Sequence, residues 1–471
     1  MKKKKTIIIE KVALTGIADK GKCIGKTPDG MIAFVEGGVP GDVVDMRVQK
    51  KKNGYFEGVA VFFHELSPER VEPFCSHFGV CGGCKWQHLA YEAQAKYKQE
   101  VVENAFRHLA KVPVGEFLPI ITCDPDRYYR NKLEFTFSNR RWLTQEEMNA
   151  GHPPEENVLG FHRPGAFDKI VNIEKCYLQE DPSNAIRNFI REIAHQQELT
   201  FYDVKKHEGY LRNVIIRRAA TGEIMVILSL QYEDQALRIA LLEAIKTQFP
   251  EITSLHYCIN GKLNDSLYDI KIHTYAGKGY IEDKLGDVRF KIGPKSFFQT
   301  NTRQAERLFD VVLDFAALKG DENVYDLYTG LGSIALYMAR RCGAVTGIEE
   351  IAAAIEDAKV NAAFNDISNC LFYAGDVRNI LTKEFALEHG KPDLLITDPP
   401  RMGMHPDVTQ MLLELEAPRL IYVSCNPATQ ARDLQILSSK YDVIKVQPVD
   451  MFPHTHHIEN VALLEMRSMT N

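Results

Sequence analysis

The chain lacks any apolar run approaching the roughly 20 residues of a membrane span, so no bilayer-crossing helix is expected. It also lacks a strong charge imbalance. Its 57 Lys and Arg against 63 Asp and Glu leave a net charge of −6, which argues against gross electrostatic attraction to nucleic acid. No internal repeat or low-complexity linker interrupts the 471 residues, a length that suits about three domains. Lys2 to Lys5 and Ile7-Ile8-Ile9 mimic a secretory start, but Glu10 and Lys11 end the apolar stretch too soon. A cytoplasmic, unprocessed, monomeric chain without membrane association is expected. Ten cysteines in that compartment are not a disulfide framework, which leaves metal binding, catalysis or packing.

What is present divides into three parts. Residues 1–60 carry twelve Lys and Arg against seven Asp and Glu, so this end is locally basic. Short strands over 6–11, 31–35, 42–49 and 55–63 alternate with turn chemistry at Pro28-Asp29-Gly30, Gly37 to Gly41 and Asn53-Gly54, which predicts a small β-barrel over 1–63. Residues 64–290 read as a mixed α+β domain: a compact cysteine-bearing stretch to 90, strands over 133–137, 211–217 and 224–230, and a helix over 184–195. A helix over 91–111 places Ala95, Val102, Ala105 and Leu109 on one face and is free to pack on the last domain. In 291–471, strands at 324–327, 345–348, 371–373, 394–397 and 420–424 alternate with helices, and 442–446 and 461–466 close as a hairpin. This predicts an α/β domain with a seven-stranded, mainly parallel sheet, a plan that resembles the class I (Rossmann-like) methyltransferases.

Such sheets bind ligands at the carboxyl ends of their strands. Three ends here carry chemistry: Asp326-Leu-Tyr328-Thr-Gly330-Leu-Gly332, Asp398-Pro399-Pro400-Arg401, and Ser424-Cys425-Asn426-Pro427. Gly330 and Gly332 permit a tight turn and close approach of a ligand. Glu349 ends the next strand, where an acid meets ribose hydroxyls, and Asp376 ends the third, within reach of an adenine edge. Each alone reads better as a strand-end surface acid; together, in register, they point to a nucleotide-type cofactor. Ser333 follows Gly332, and neither Ala335 nor Leu336 supplies a third glycine, so S-adenosylmethionine fits better than a dinucleotide. Asp-Pro-Pro also occurs in amino-methyltransferases, followed there by an aromatic residue. Arg401 in that place disfavours methylation of an exocyclic amine.

Carbon methylation needs another device. Carbon 5 of a pyrimidine becomes nucleophilic only after a thiolate adds to carbon 6, and a base must then remove the carbon 5 proton. Cys425 is the candidate nucleophile, its pKa to be lowered from about 8.5 by neighbours such as Arg401. Glu459, in His454-Thr-His456-His457-Ile-Glu459, is the candidate base. A buried packing thiol and a solvated loop acid are the plain alternatives. The three histidines lack metal-site spacing. Ser-Phe-Phe-Gln299-Thr-Asn, Asp-Leu-Tyr-Thr-Gly-Leu-Gly, Asp-Pro-Pro-Arg, Tyr-Val-Ser-Cys425-Asn-Pro and Asp450-Met-Phe-Pro-His454 to Glu459 resemble, in order, the RNA 5-methyluridine methyltransferase family. The resemblance implies that Cys425 is the nucleophile and Glu459 the base. It also implies that Gln299, Tyr328, Glu349, Asp376 and Asp398 line the S-adenosylmethionine pocket. Thr329 and Ser333 replace the cysteine and asparagine frequent there.

Cys75, Cys81 and Cys84 form C-x5-C-G-G-C, and Cys176 lies alone downstream. Four thiolates suit zinc or an iron–sulfur cluster; a single short knuckle favours the cluster, and some family members hold [4Fe–4S] with this arrangement. Cys23, Cys123, Cys258, Cys342 and Cys370 read as packing residues. The barrel resembles the TRAM fold, an RNA-binding module, with Lys50-Lys51-Lys52 beside Tyr55 and Phe56 for backbone attraction and base stacking. Tyr129-Arg130-Asn131-Lys132 is a further candidate RNA contact. Barrel and cysteine cluster together resemble the branch acting on large-subunit ribosomal RNA, the target uridine being flipped out or single-stranded. A transfer RNA substrate, or a non-catalytic RNA-binding or redox-sensing role, is the alternative.

Overall fold

The computed structural model describes residues 7–153 and 156–468; the basic start Lys2 to Lys5 and residue 6 of the first expected strand lie outside them. Five strands, Ile8–Ile17, Cys23–Lys26, Ile32–Glu36, Val43–Lys52 and Tyr55–Glu65, close into a barrel. One strand more than expected appears because the first does not stop at Lys11. Lys11 adopts φ 53° and donates its N–H to Asp45 Oδ1 (3.0 Å). Beyond that irregularity Val12 and Leu14 resume the inward alternation, and Cys23–Lys26 pairs with the extension. Val12, Leu14, Cys23, Ala33, Val35, Val44, Met46 and Phe56 fill the barrel.

The helix Tyr91–Ala105 buries Ala95, Val102 and Ala105 as expected, but Leu109 is 51% exposed. The last turn, Phe106–Ala110, is wound as a π-helix. Its longer i→i+5 repeat advances the phase, so Phe106 and Ala110 face inward in place of Leu109. The central part carries a seven-stranded sheet in the order Ile272–Gly277, Ser254–Ile259, Ile224–Leu230, Leu211–Arg218, Lys132–Ser138, Val158–Arg163, Ala166–Asn172. Helices Ser183–Gln196 and Gln235–Gln248 share its core.

The carboxyl-terminal sheet runs Cys370–Ala374, Ala344–Glu349, Asn323–Leu327, Leu394–Thr397, Arg419–Ser424, Glu459–Met466, Tyr441–Val449. The first five strands are parallel and the last two form the antiparallel hairpin. An eighth strand, Val114–Phe117, comes from far earlier in the chain and adds in parallel beside Tyr441–Val449. Val102, Ala105, Phe106 and Ala110 pack into the same core as Leu395, Leu434 and Leu464. The helix and the edge strand therefore belong physically to the last sheet. Among the described residues no helix is long and apolar enough to cross a membrane.

Candidate active site

Cys425 stands at the junction of two rigid elements. The strand before it buries Leu420 to Val423 completely. The helix Pro427–Leu437 after it starts with proline, and Asn426 caps it, Oδ1 accepting from Ala428 N at 3.1 Å. Asn426 Nδ2 and Thr429 Oγ1 both donate to the Arg401 carbonyl (2.9 and 3.3 Å). This ties the Asp398–Arg401 loop to the cysteine turn. Ser424 pairs with Asn460 in antiparallel register, so Glu459, first residue of its strand, lies beside Cys425 despite their distance in sequence. Arg401 lies near enough to Cys425 to oppose the rise of its thiol pKa, and its Nη2 lies 3.1 Å from His457 Nδ1.

Four ionisable groups thus share one crevice. Burial pushes the Cys425 thiol up to about 11; Glu459 and Asp398 add to the rise and Arg401 opposes it. Burial, then Asp398, drives the Glu459 carboxyl well above the usual range, again against Arg401. Desolvation and Asp326 raise Asp398 to about 7. The expected cation is present, but the expected lowering of the thiol pKa is not. One guanidinium serves two acids, Cys425 and Glu459, and burial outweighs it.

The cofactor turn is built around Asp326, whose Oδ2 accepts from Thr329 Oγ1 (2.5 Å) and Ala335 N (3.1 Å). Tyr328, Gly330 and Gly332 take φ of 65°, 58° and 83°. A Cβ on Gly332 would press on Ala358 and Phe372, whereas one on Gly330 would meet nothing within 4 Å. Gly332 therefore answers packing and Gly330 faces open space. Glu349 spans the turn, Oε2 accepting from Gly330 N (3.1 Å) and Oε1 from Ile351 N (2.9 Å). Asp376 caps Val377–Ile380 and holds the Arg378 guanidinium (Nε–Oδ2 2.9 Å). Burial raises the Tyr328 phenol to about 12, with Asp376 contributing, so these two share the rim. The Gln299 carbonyl accepts from Asn131 Nδ2 (2.8 Å), tying this segment to the central sheet.

The loop before Glu459 is anchored by residues the sequence reading did not single out. Lys98 Nζ, fully buried, donates to Asp450 Oδ1 (2.6 Å) and the Phe452 carbonyl (3.0 Å). Its signal was a lysine on the apolar face between Ala95 and Val102. The His454 carbonyl accepts from Lys85 N (2.8 Å) and Trp86 N (3.0 Å), next to the cysteine segment. His454 faces Gln94 and Asp126, while His457 faces Arg401 and packs its ring on that of His456 (centroids 4.1 Å), so His454 and His457 point to different partners. A cavity of about 260 Å³ opens above Cys425, reached also by Lys98 and Arg401.

Cys75, Cys81, Cys84 and Cys176 line one narrow cavity. Burial, and one another, push Cys81 and Cys84 up to about 12. Among the described residues no three or more His, Cys, Asp or Glu side chains are arranged to hold a single metal ion, so the thiols gather without forming a closed ligand shell. The stacking role expected of Phe56 does not hold. Its side chain is 8% exposed in the barrel core, because alternation along Tyr55–Glu65 turns it inward. Lys51 and Lys52 lie near the Phe56 and Tyr55 rings (both 5.5 Å). The exposed aromatics of this barrel are Phe62 and Phe63.

Comparison with known proteins adds the following. Residues 271–467 match the tRNA (Uracil-5-)-methyltransferase family model, and residues 3–61 match the TRAM domain. A Bacteroides thetaiotaomicron RNA methyltransferase is 53% identical over 96% of this chain and 100% of its own length. A Porphyromonas gingivalis RNA methyltransferase is 49% identical over 96% and 98%. The crystal structure of Pyrococcus abyssi tRNA (uracil-54, C5)-methyltransferase with S-adenosyl-L-homocysteine superposes with a TM-score of 0.75 at 28% identity, covering 96% of this chain and 99% of that one.

Proposed function

From this chain's membership of the RNA uracil-5-methyltransferase family, S-adenosylmethionine-dependent and bearing a TRAM domain, we propose that it methylates carbon 5 of a uridine in large-subunit ribosomal RNA, with Cys425 as nucleophile and Glu459 as base. The observation that carries the chemistry is the convergence of Cys425, Arg401, Asp398 and Glu459 in one desolvated crevice. Cys425 first gives its thiol proton to solvent; its Sγ lone pair then bonds to carbon 6 of the uracil, and the carbon 5–carbon 6 π pair becomes nucleophilic at carbon 5 and forms the new bond to the methyl carbon. S-adenosylmethionine, when bound, supplies an electrophilic methyl group. Glu459 takes the carbon 5 proton; the pair left behind restores the double bond as the sulfur–carbon 6 bond breaks. Addition removes the thiolate charge from the sulfur, which leaves Arg401 free to favour the Glu459 carboxylate.

Gln299, Tyr328, Glu349, Asp376 and Asp398 are the residues proposed to hold the cofactor. Gly330 fits that role, since its left-handed turn faces open space where a side chain would intrude. For the four cysteines we propose a [4Fe–4S] cluster. The support for this reading is that the four thiols line one narrow cavity. Anaerobic purification yielding a brown protein with four irons per chain is the expected result; a colourless protein with one zinc overturns it.

A transfer RNA substrate is the second reading. The Pyrococcus abyssi structure is named for transfer RNA and matches 96% of this chain, so the barrel region by itself does not mark a ribosomal substrate. Incubation with S-adenosylmethionine and 5-fluorouridine-substituted ribosomal RNA should trap a covalent adduct, because fluorine cannot leave as a proton. An adduct only with similarly substituted transfer RNA transfers the function to that substrate. No adduct with either removes the mechanism.

A further inference from the structure

We propose that His457 is a positioning residue for the reaction: its Nδ1 accepts a hydrogen bond from the Arg401 guanidinium and keeps that charge near Cys425. This inference rests on Cys425 being the nucleophile. The backbone of Arg401 is already fixed, since its carbonyl accepts from Asn426 Nδ2 (2.9 Å) and Thr429 Oγ1 (3.3 Å). The side chain is another matter. Arg401 is exposed, and a long exposed side chain keeps much of its rotamer freedom. Its charge serves the site only while it stays near Cys425 and Glu459, where it opposes the rise of both acids. Nη2 stands 3.1 Å from His457 Nδ1, a contact that turns the guanidinium toward the crevice.

The direction of the bond follows from chemistry. A guanidinium has donors only, so Nδ1 must accept and the ring proton stands on Nε2. An imidazolium could not serve, because it has no acceptor and would repel Arg401. The surroundings keep the ring neutral: burial, then His456, Arg401 and Lys98, hold His457 down to about 3. A carboxylate in this place would hold the guanidinium more strongly, but it would also neutralise the charge that favours the Cys425 thiolate. A neutral acceptor orients Arg401 and leaves its charge intact.

His457 is itself held in place. Its backbone N–H donates to Thr455 Oγ1 (3.2 Å), and its ring lies against that of His456, centroids 4.1 Å apart. His456 is backed by the barrel: Gly21 has φ +73°, and a Cβ there would stand 2.6 Å from His456 Cβ. The loop is clamped at its start by Lys98 on Asp450 and at its middle by Gln94, whose Oε1 accepts from His454 N (2.8 Å). Nδ1 is therefore presented from a fixed position, whereas the arginine it meets is free to turn.

The test is the rate at which iodoacetamide alkylates Cys425 at about pH 8, read by mass spectrometry of its own peptide, since that rate follows the thiolate fraction. His457→Leu, which keeps bulk but removes the acceptor, should slow alkylation by about three- to tenfold, the scale of one hydrogen bond. His457→Asn, which sets a carbonyl oxygen near the place of Nδ1, should stay within about twofold of wild type. Arg401→Gln should be at least as slow as His457→Leu. The double variant should be no slower than Arg401→Gln alone, because His457 acts through Arg401. Melting temperatures confirm that each variant is folded. A wild-type rate in His457→Leu overturns the proposal, as does a His457→Asn as slow as His457→Leu, or a further slowing in the double variant. Alkylation needs neither RNA nor methyl donor. The expected order of rates without any adduct on fluorinated RNA therefore keeps His457 as the holder of Arg401 and removes the uracil reaction.

Discussion

Cys425 and the four cysteines around residues 75–84 and 176 are two buried-thiol neighbourhoods that differ in everything except burial. Cys81 and Cys84 are held near 12 and Cys425 near 11. Cys342, an ordinary packing residue whose thiol faces the Met338 and Ala339 carbonyls (3.6 and 3.8 Å), is also held near 11. A raised thiol pKa is therefore set first by burial and does not by itself mark a reactive thiol. What sets Cys425 apart is a guanidinium, two carboxyls and a cavity of about 260 Å³. What sets the quartet apart is that Cys81, Cys84 and Cys176 each feel neighbouring thiols in addition to burial, while Leu178 N–H, Arg187 and Arg130 relieve Cys176. The first arrangement sets opposite charges around one thiol; the second gathers four thiols in one narrow cavity.

The largest expected effect separates the two outright. Cys425→Ala should abolish the fluorouridine adduct and lower methyl transfer by about four orders of magnitude or more. Cys84→Ser should lose iron and lower the melting temperature, while its folded fraction still forms the adduct within about tenfold of wild type, as expected for separate sites. Total loss of adduct in folded Cys84→Ser breaks the comparison. Next, Glu459→Gln should let the adduct form on ordinary uridine and then persist, its release slowed by about 10²–10⁴-fold; denaturing gels would show the protein–RNA band. Smaller again, Arg401→Gln should slow adduct formation by about tenfold or more, since it removes a group that lowers the thiol pKa.

In the wild type, adduct formation should rise between about pH 7 and 9, because the thiolate fraction grows as pH approaches 11. The rise should be shallower than about tenfold per pH unit, because Asp398, ionising near 7, pushes the thiol back up. A flat rate across this range removes the protonated thiol as the resting form. The smallest effect belongs to Cys342→Ser: a loss of about 1–2 kcal/mol in urea denaturation and an unchanged adduct rate.

Much of this was legible in the residues. Apolar alternation located the strands of the last sheet, and the strand-end motifs brought Cys425, Asp398 and Arg401 to one crevice, because parallel strands all end on the same side. The pairing of Glu459 with Cys425 depends on hairpin register, Ser424 opposite Asn460, which a linear reading does not contain. Leu109 fits the apolar face of a regular helix, but a π-turn changes the helical period without a Pro or Gly to announce it. Phe56, beside three lysines, reads as a surface ring, yet strand alternation decides which way it points. Lys98 shows the converse: a charge on an apolar face was itself the signal of the buried partner, Asp450.

The edge strand Val114–Phe117 has a bearing on how the molecule is made. It and the helix Tyr91–Ala105 leave the ribosome before the central sheet, yet pair and pack with elements that are translated last. The catalytic unit is thus assembled from both ends around an insertion, and its outer edge is a strand that must wait for its sheet. A fragment starting at residue 291 would expose the unpaired flank of Tyr441–Val449 and the apolar surface that Phe106 and Ala110 cover, the kind of open edge that recruits other chains. Dissection of this enzyme therefore needs residues 91–117 kept with the catalytic half, as a single unit of folding.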